Sequence, residues 1–193
     1  MESLIIATHN AGKAAEISKL LEGKYVVKSL KDLDFHEEIV EDGDSFQENA
    51  LIKAQTIYDK FGVPCFADDS GLEVDALDGA PGIYSARFAG EPSNDTVNNQ
   101  LLLEKLKGIS DRDAQFRTVI AYIDGRGEKH FFTGLVRGSL LPELSGDQGF
   151  GYDPLFVPEG EDRTFAQMSK DEKNRISHRG IAIKQLISYL ASQ

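Results

Sequence analysis

The chain has 193 residues, with 21 Lys plus Arg against 32 Asp plus Glu and a formal net charge of -11, a length for one domain with a real core or two small lobes folded together. The acidic balance excludes nonspecific attraction to a nucleic-acid backbone, and the single cysteine, Cys65, can close no internal disulfide, which fits a reducing, cytoplasmic compartment. No stretch approaches the roughly 18 apolar residues of a membrane helix.

The apolar, branched run SLIIAT, residues 3–8, predicts a strand buried on both faces. After the turn HNAGK, Ala14, Ile17, Leu20 and Leu21 recur at helical spacing and Gly23 supplies a stop. Ser45 opens S-F-Q-E, a capping box with Glu48 as the returning carboxylate. Phe46, Ala50, Ala54, Ile57, Tyr58 and Phe61 mark the buried side of that helix, with Asn49 and Lys53 on a more polar side. VPCFA then predicts a strand that delivers Asp68 and Asp69 at its C-terminal end, before a Gly- and Pro-rich loop through residue 92 and a helix from about Asp95. AQFRTVIAYID and EKHFFTGLVRG alternate as two strands of a hairpin around GRG, and Ser177 caps a last helix whose Ile183, Leu186, Ile187 and Leu190 face the core. Antiparallel pairing thus joins an α/β pattern: a single 1–193 domain with a central mixed sheet flanked by helices.

Four stretches carry chemistry. THNAGK places Thr8, His9, Asn10, Ala11, Gly12 and Lys13 where a strand meets a helix N-terminus, an anion site by its unpaired N–H groups and dipole, although alone it reads at least as well as a helix cap with a surface lysine. It is not a Walker A loop, because Ala14 follows the lysine. Asp68 and Asp69 suit a Mg²⁺ site or a general base acting on water, although DDSG on its own reads better as an Asp-rich turn with Ser70 and Gly71. Of the upstream acids Glu37, Glu38, Glu41, Asp42 and Asp44, one can complete a metal site. GFGYDP, with Phe150, Gly151, Tyr152 and Asp153, fails the context of a dinucleotide fingerprint but lets backbone approach a ligand, with Phe150 or Tyr152 offering a face for a base. SHRG sets His178 and Arg179 in a first helical turn, where cations oppose the dipole, and Lys173 adds a third positive group. That mismatch points to a ligand.

Together, ATHNAGK, FQENALIKA, FADDSGLEVDALDGAPGIYSARFAG, GFGYDPLF and SKDEKNRISHRG resemble the signature blocks of the inosine triphosphate pyrophosphatase family, in order from residue 7 to 180. The resemblance implies two lobes with a nucleotide cleft between them, a homodimer, and Mg²⁺-assisted hydrolysis of ITP, dITP and XTP to the monophosphate and pyrophosphate. It implies that Thr8 to Lys13 and Lys53 hold the triphosphate and that Asp69 is general base and metal ligand, with Asp68 a helper and Glu41 the second ligand. Ser70 contacts substrate, Phe150 to Asp153 and Lys173 line the nucleotide site, and His178 with Arg179 read the base. Many members carry T-G-N where this chain has His9, so the resemblance leaves the backbone of that turn open. A pyrimidine-preferring pyrophosphatase of the Maf type is the alternative enzyme, and a nucleotide sensor without turnover the alternative class.

Overall fold

The computed structural model describes residues 3–193. β1 (Ser3–Ile6) buries Leu4, Ile5 and Ile6 together, as expected for a strand covered on both faces. α1 (Ala11–Leu21) starts at Asn10, whose side chain accepts the Lys13 N–H, and β2 (Val26–Ser29) forms a sheet edge. α2 (Phe46–Phe61) closes on Gly62 at φ 64°, a left-handed cap that costs glycine no Cβ clash. There follow β3 (Cys65–Val74), 3-10 turns at Asp75–Leu77 and Gly82–Arg87, and α3 (Asp95–Lys105). The chain ends with β4 (Asp113–Ile123), β5 (Lys129–Leu140), β6 (Phe156–Pro158), a 3-10 turn at Phe165–Gln167, α4 (Lys170–Ile176) and α5 (His178–Ala191).

The six strands form one sheet in the order β2-β1-β3-β4-β5-β6. β1 runs parallel to β2 and β3, and β5 antiparallel to β6, so the sheet is mixed. The chain divides into two compact units. The first takes the residues up to Asp69, then Thr118–Gly134 and Arg179–Gln193; the second takes Ser70–Arg117 and Leu135–His178.

In the first unit the pleat decides which helix each strand residue meets. Leu4, Ile6, Phe66 and Ile120 join Ile17 and Leu21 of α1 and Ile183 and Leu186 of α5. Ile5, Ala7, Cys65, Ala67, Ala121 and Ile123 join Ala50, Ala54 and Ile57 of α2 on the other face. The second unit has its own core, including Leu72, Val74, Phe116, Tyr152, Phe156 and Phe165.

Three local expectations change. Asp68 and Asp69 lie in the middle of β3, which continues through Ser70 and Gly71 to Val74. Turn propensity in DDSG yields to a strand whose flanking residues Phe66, Ala67, Leu72 and Val74 are all buried. Ser45 accepts the Glu48 N–H, but the Glu48 carboxylate reaches past it to the Asp44 N–H at 2.7 Å, one residue beyond a true capping box. Asn49 and Lys53 are buried, not on a polar surface, because the Gly43 N–H donates to Asn49 Oδ1 and Glu41 takes the Lys53 ammonium.

Candidate active site

Successive residues of a strand point to opposite faces, so the adjacent acids of β3 meet different partners. Asp68 shares the face of α1 and α5. Its Oδ2 lies 3.3 Å from Lys13 Nζ, 3.3 Å from Arg179 Nε and 3.4 Å from Arg179 Nη2. Arg179, itself fully buried, places its Nη1 against Glu16 of α1. Asp69 shares the face of α2, with Oδ1 3.6 Å from Lys53 Nζ, which also donates to Glu41 Oε2 at 2.9 Å. Asp69 Oδ2 is buried without a hydrogen-bond partner among the described residues.

Burial pushes the Asp69 carboxyl above its ordinary range, although Lys53 and Lys13 pull against it. Burial likewise lowers Lys13, despite the opposing charge of Asp68. Lys53 goes the other way: burial works against its charge, but Asp69, Glu41 and Asp68 outweigh it and raise it. Arg179 is raised by Asp68 and Glu16 against its burial. The arrangement therefore sets the two carboxylates among different cations, Asp68 with Lys13 and Arg179 and Asp69 with Lys53 beside Glu41.

Glu41 is the half-buried member of the upstream acids, while Glu37, Glu38, Asp42 and Asp44 are exposed, and Glu41 pairs with Lys53, the ammonium that also lies 3.6 Å from Asp69. The Thr8 to Lys13 turn is tied by Thr8 Oγ1 accepting the Asn10 N–H at 3.1 Å and by the Asn10 side chain accepting the Lys13 N–H at 3.0 Å, the cap that opens α1. His9 does not adopt positive φ. It stacks 6.0 Å from Phe35 and contacts the Glu37 carbonyl at 3.0 Å, so the turn needs no glycine here.

The second unit collects Ser70, Phe150 to Asp153, Lys173 and His178. Lys173 Nζ donates to Asp153 Oδ2 at 2.6 Å, and that oxygen also accepts the Phe150 N–H at 3.1 Å. The ammonium lies 4.9 Å from the Phe150 centroid and 5.5 Å from that of Phe165. A Cβ on Gly149 would come within 2.1 Å of Asp153 Oδ2, so glycine there is what lets Asp153 fold back over its own loop. Tyr152 is buried and donates its hydroxyl to the Ser85 carbonyl at 2.6 Å. This leaves half-buried Phe150 as the more exposed aromatic of the pair. His178 stacks on Phe116 at 4.6 Å with planes 8° apart.

Glu16 and Phe116 are residues that sequence reasoning did not single out. Glu16 carried a signal, since i, i+3 spacing sets it beside Lys13 on one helical face; Phe116 carried none beyond its place in an alternating strand. Asp75, unassigned from sequence, makes a two-point ion pair with Arg137 at 3.0 and 2.7 Å, and Asp78 adopts φ 53° at the end of a 3-10 turn. Asp124, Glu128 and His130 bring ligand atoms within 4.8 Å of one another. Arg126 lies 3.6 Å from both carboxylates there, and Asp124 Oδ1 accepts the Arg126 and Glu128 N–H groups, so the hairpin turn is already an ion-paired unit. No helix among the described residues is long and apolar enough to cross a membrane. Cys65 is buried, with its thiol pushed up to about 12 by burial, which makes it a small core residue and not a nucleophile.

The model of the Ham1 family matches residues 4–189. A curated relative from Porphyromonas gingivalis, named dITP/XTP pyrophosphatase, is 51% identical over 191 residues, covering 98% of each chain. The solved Ham1 protein of Staphylococcus aureus matches with TM-score 0.88 and 40% identity, covering 99% of each chain. A HAM1 protein from Coxiella burnetii matches with TM-score 0.89 and 37% identity over the whole of both chains.

Proposed function

The chain belongs to the Ham1 family, and we propose that it hydrolyses non-standard purine nucleoside triphosphates, dITP, XTP and ITP, to the nucleoside monophosphate and pyrophosphate. The observation that carries this reading is the division of partners in β3: Asp68 is engaged by Lys13 and Arg179, and Asp69 by Lys53 beside Glu41, with Asp69 Oδ2 buried without a hydrogen-bond partner among the described residues. Such an oxygen suits a general base, and its raised proton affinity moves it toward the operating pH of a hydrolase. The intact acid and lysine set also favours turnover over a nucleotide sensor.

The donors fit a divalent cation. Asp69 and Glu41 converge on Lys53 Nζ, and carboxylate oxygens completed by substrate phosphates and water are the set Mg²⁺ prefers. When bound by these two residues, Mg²⁺ neutralises phosphate charge and polarises the α-phosphoryl group. Lys13, Lys53 and the N-terminus of α1 hold the triphosphate. Asp69 takes the proton of the attacking water, and Asp68 keeps Lys13 aimed at the phosphates. Ser70, next to Asp69 in β3, contacts the substrate. Phe150 offers its ring to the base, Asp153 and Lys173 brace that ring, and His178 donates toward the 6-oxo group shared by hypoxanthine and xanthine. Arg179, whose guanidinium serves Asp68 and Glu16, is a support for the acids more than a reader of the base. The family resemblance supports a cytoplasmic homodimer, with residues 1–193 acting as one catalytic domain.

The test is direct. Purified protein with Mg²⁺ and a panel of dITP, XTP, ITP, ATP, dTTP and UTP is expected to release pyrophosphate and monophosphate from the first three. Orthophosphate plus diphosphate would overturn the reaction assigned, and a preference for dTTP or UTP would favour the Maf-type alternative.

A further inference from the structure

Helix α3 contains none of the residues to which a role has been given so far, yet it holds the loop that carries Phe150 by both polar groups of one peptide residue. Asn94 caps the helix by accepting the Val97 N–H at 3.0 Å, which fixes the first turn. From that turn Asp95 Oδ2 accepts the Gly151 N–H at 2.7 Å. One turn later Asn99 Nδ2 donates to the Gly151 carbonyl at 2.9 Å and to the Asp95 carbonyl at 2.9 Å. The orientation of the Asn99 amide follows from these partners, because the reverse placement would set its oxygen against two carbonyls. Gly151 sits at φ 61°, a conformation that leaves the loop few ways to relax while both its groups are held.

The neighbouring Asn98 extends the grip. Its Oδ1 accepts the Ala89 N–H at 2.8 Å and its Nδ2 donates to the Ala86 carbonyl at 2.9 Å. That fixes the segment whose Ser85 carbonyl receives the Tyr152 hydroxyl. Phe150 is therefore followed directly by two residues anchored to α3, one by its backbone and one through Ser85.

We propose that Asp95 and Asn99 are positioning residues for the purine: by clamping the N–H and the carbonyl of Gly151 they fix the plane of the Phe150 ring against which the base stacks. The assignment rests on the functional reading above. Its chemistry predicts a binding effect, since neither side chain is assigned to the triphosphate or to the attacking water.

Asn99→Ala and Asp95→Ala are each expected to raise KM for ITP about tenfold, the equivalent of one net hydrogen bond, with kcat changed by less than about twofold. Amide hydrogen exchange at Gly151 is expected to quicken in both, an observable independent of turnover. Asp95→Asn retains an acceptor without the charge and is expected to give a smaller KM increase, about threefold; it carries the test if either alanine variant fails to fold. Faster exchange at Gly151 with an unchanged KM would detach the clamp from substrate binding, and unchanged exchange would remove the clamp itself. Failure of the functional reading looks different: the wild-type protein would turn over no purine nucleoside triphosphate, while the exchange measurement would still report on the clamp.

Discussion

The two units of the molecule bury charge in opposite ways. In the first, four anionic and cationic side chains, Asp68, Lys13, Arg179 and Glu16, interlock on one face of β3, and Lys53, Asp69 and Glu41 form a second group on the other. In the second, the buried ion pair of Asp153 with Lys173 lies beside the rings of Phe150 and Phe165, and His178 lies flat on Phe116. Charge in the first unit is cancelled by charge, an arrangement that fits the proposed entry of substrate phosphates and a divalent ion by exchange of partners. Charge in the second is screened by aromatic faces, which suits an uncharged purine ring. The difference teaches that the same residue type serves different ends: Lys53 neutralises carboxylates, whereas Lys173 braces a loop.

The largest effect should come from the first unit. Asp69→Asn removes the oxygen proposed as base and the charge proposed for the metal, and is expected to lower kcat by about a thousandfold or more, in line with the loss of general base and metal ligand together. Circular dichroism should show a retained fold. Wild-type turnover in the variant would break the assignment of the two faces of β3.

Next comes Arg179. Its removal leaves Asp68 and Glu16 buried without their shared cation, and breaking a buried ion pair by deleting one partner costs about 3–5 kcal/mol. Arg179→Ala is therefore expected to show a large loss of stability in urea unfolding, with little change in the ratio of kcat/KM for ITP over ATP. A narrowed ratio without loss of stability would return Arg179 to base reading and blur the contrast between the units.

Much of this was legible in the sequence, for reasons visible at particular residues. Period-two runs such as AQFRTVIAYID and the Ser45 cap depend on local chemistry, and they appear where local rules place them. FADDSG was misjudged because turn propensity is a local quantity, while its strand conformation is imposed by β1 and β4 on either side. The separation of duties between Asp68 and Asp69 needed that correction, since two acids in a turn have no fixed faces and two acids in a strand do. Partners distant in sequence were the least legible. Glu16 and Arg179 are 163 residues apart, and nothing local in either segment announces the other.

The smallest expected effect lies in the second unit. Phe116 touches His178 through ring stacking alone at 4.6 Å, and it also packs edge-on against Phe156 at 4.7 Å and near Phe165 at 5.9 Å. Phe116→Leu keeps most of the buried apolar volume but removes the flat surface on which the imidazole rests. An aromatic pair adds about 0.5–1.5 kcal/mol beyond its buried area, so the expected result is a KM for ITP raised by about threefold with kcat nearly unchanged. A general loosening of the core would also raise KM, so the imidazole must be watched directly. In the wild type the stacked Phe116 ring is expected to shift the His178 ring protons upfield in the NMR spectrum, and most of that shift should be lost in the variant along with the tighter KM, Phe165 at 6.2 Å keeping the remainder. If the shift disappears while KM stays at the wild-type value, the stacked histidine holds the core and not the base, and the contrast between a charged phosphate end and an aromatic base end would rest on Phe150 alone.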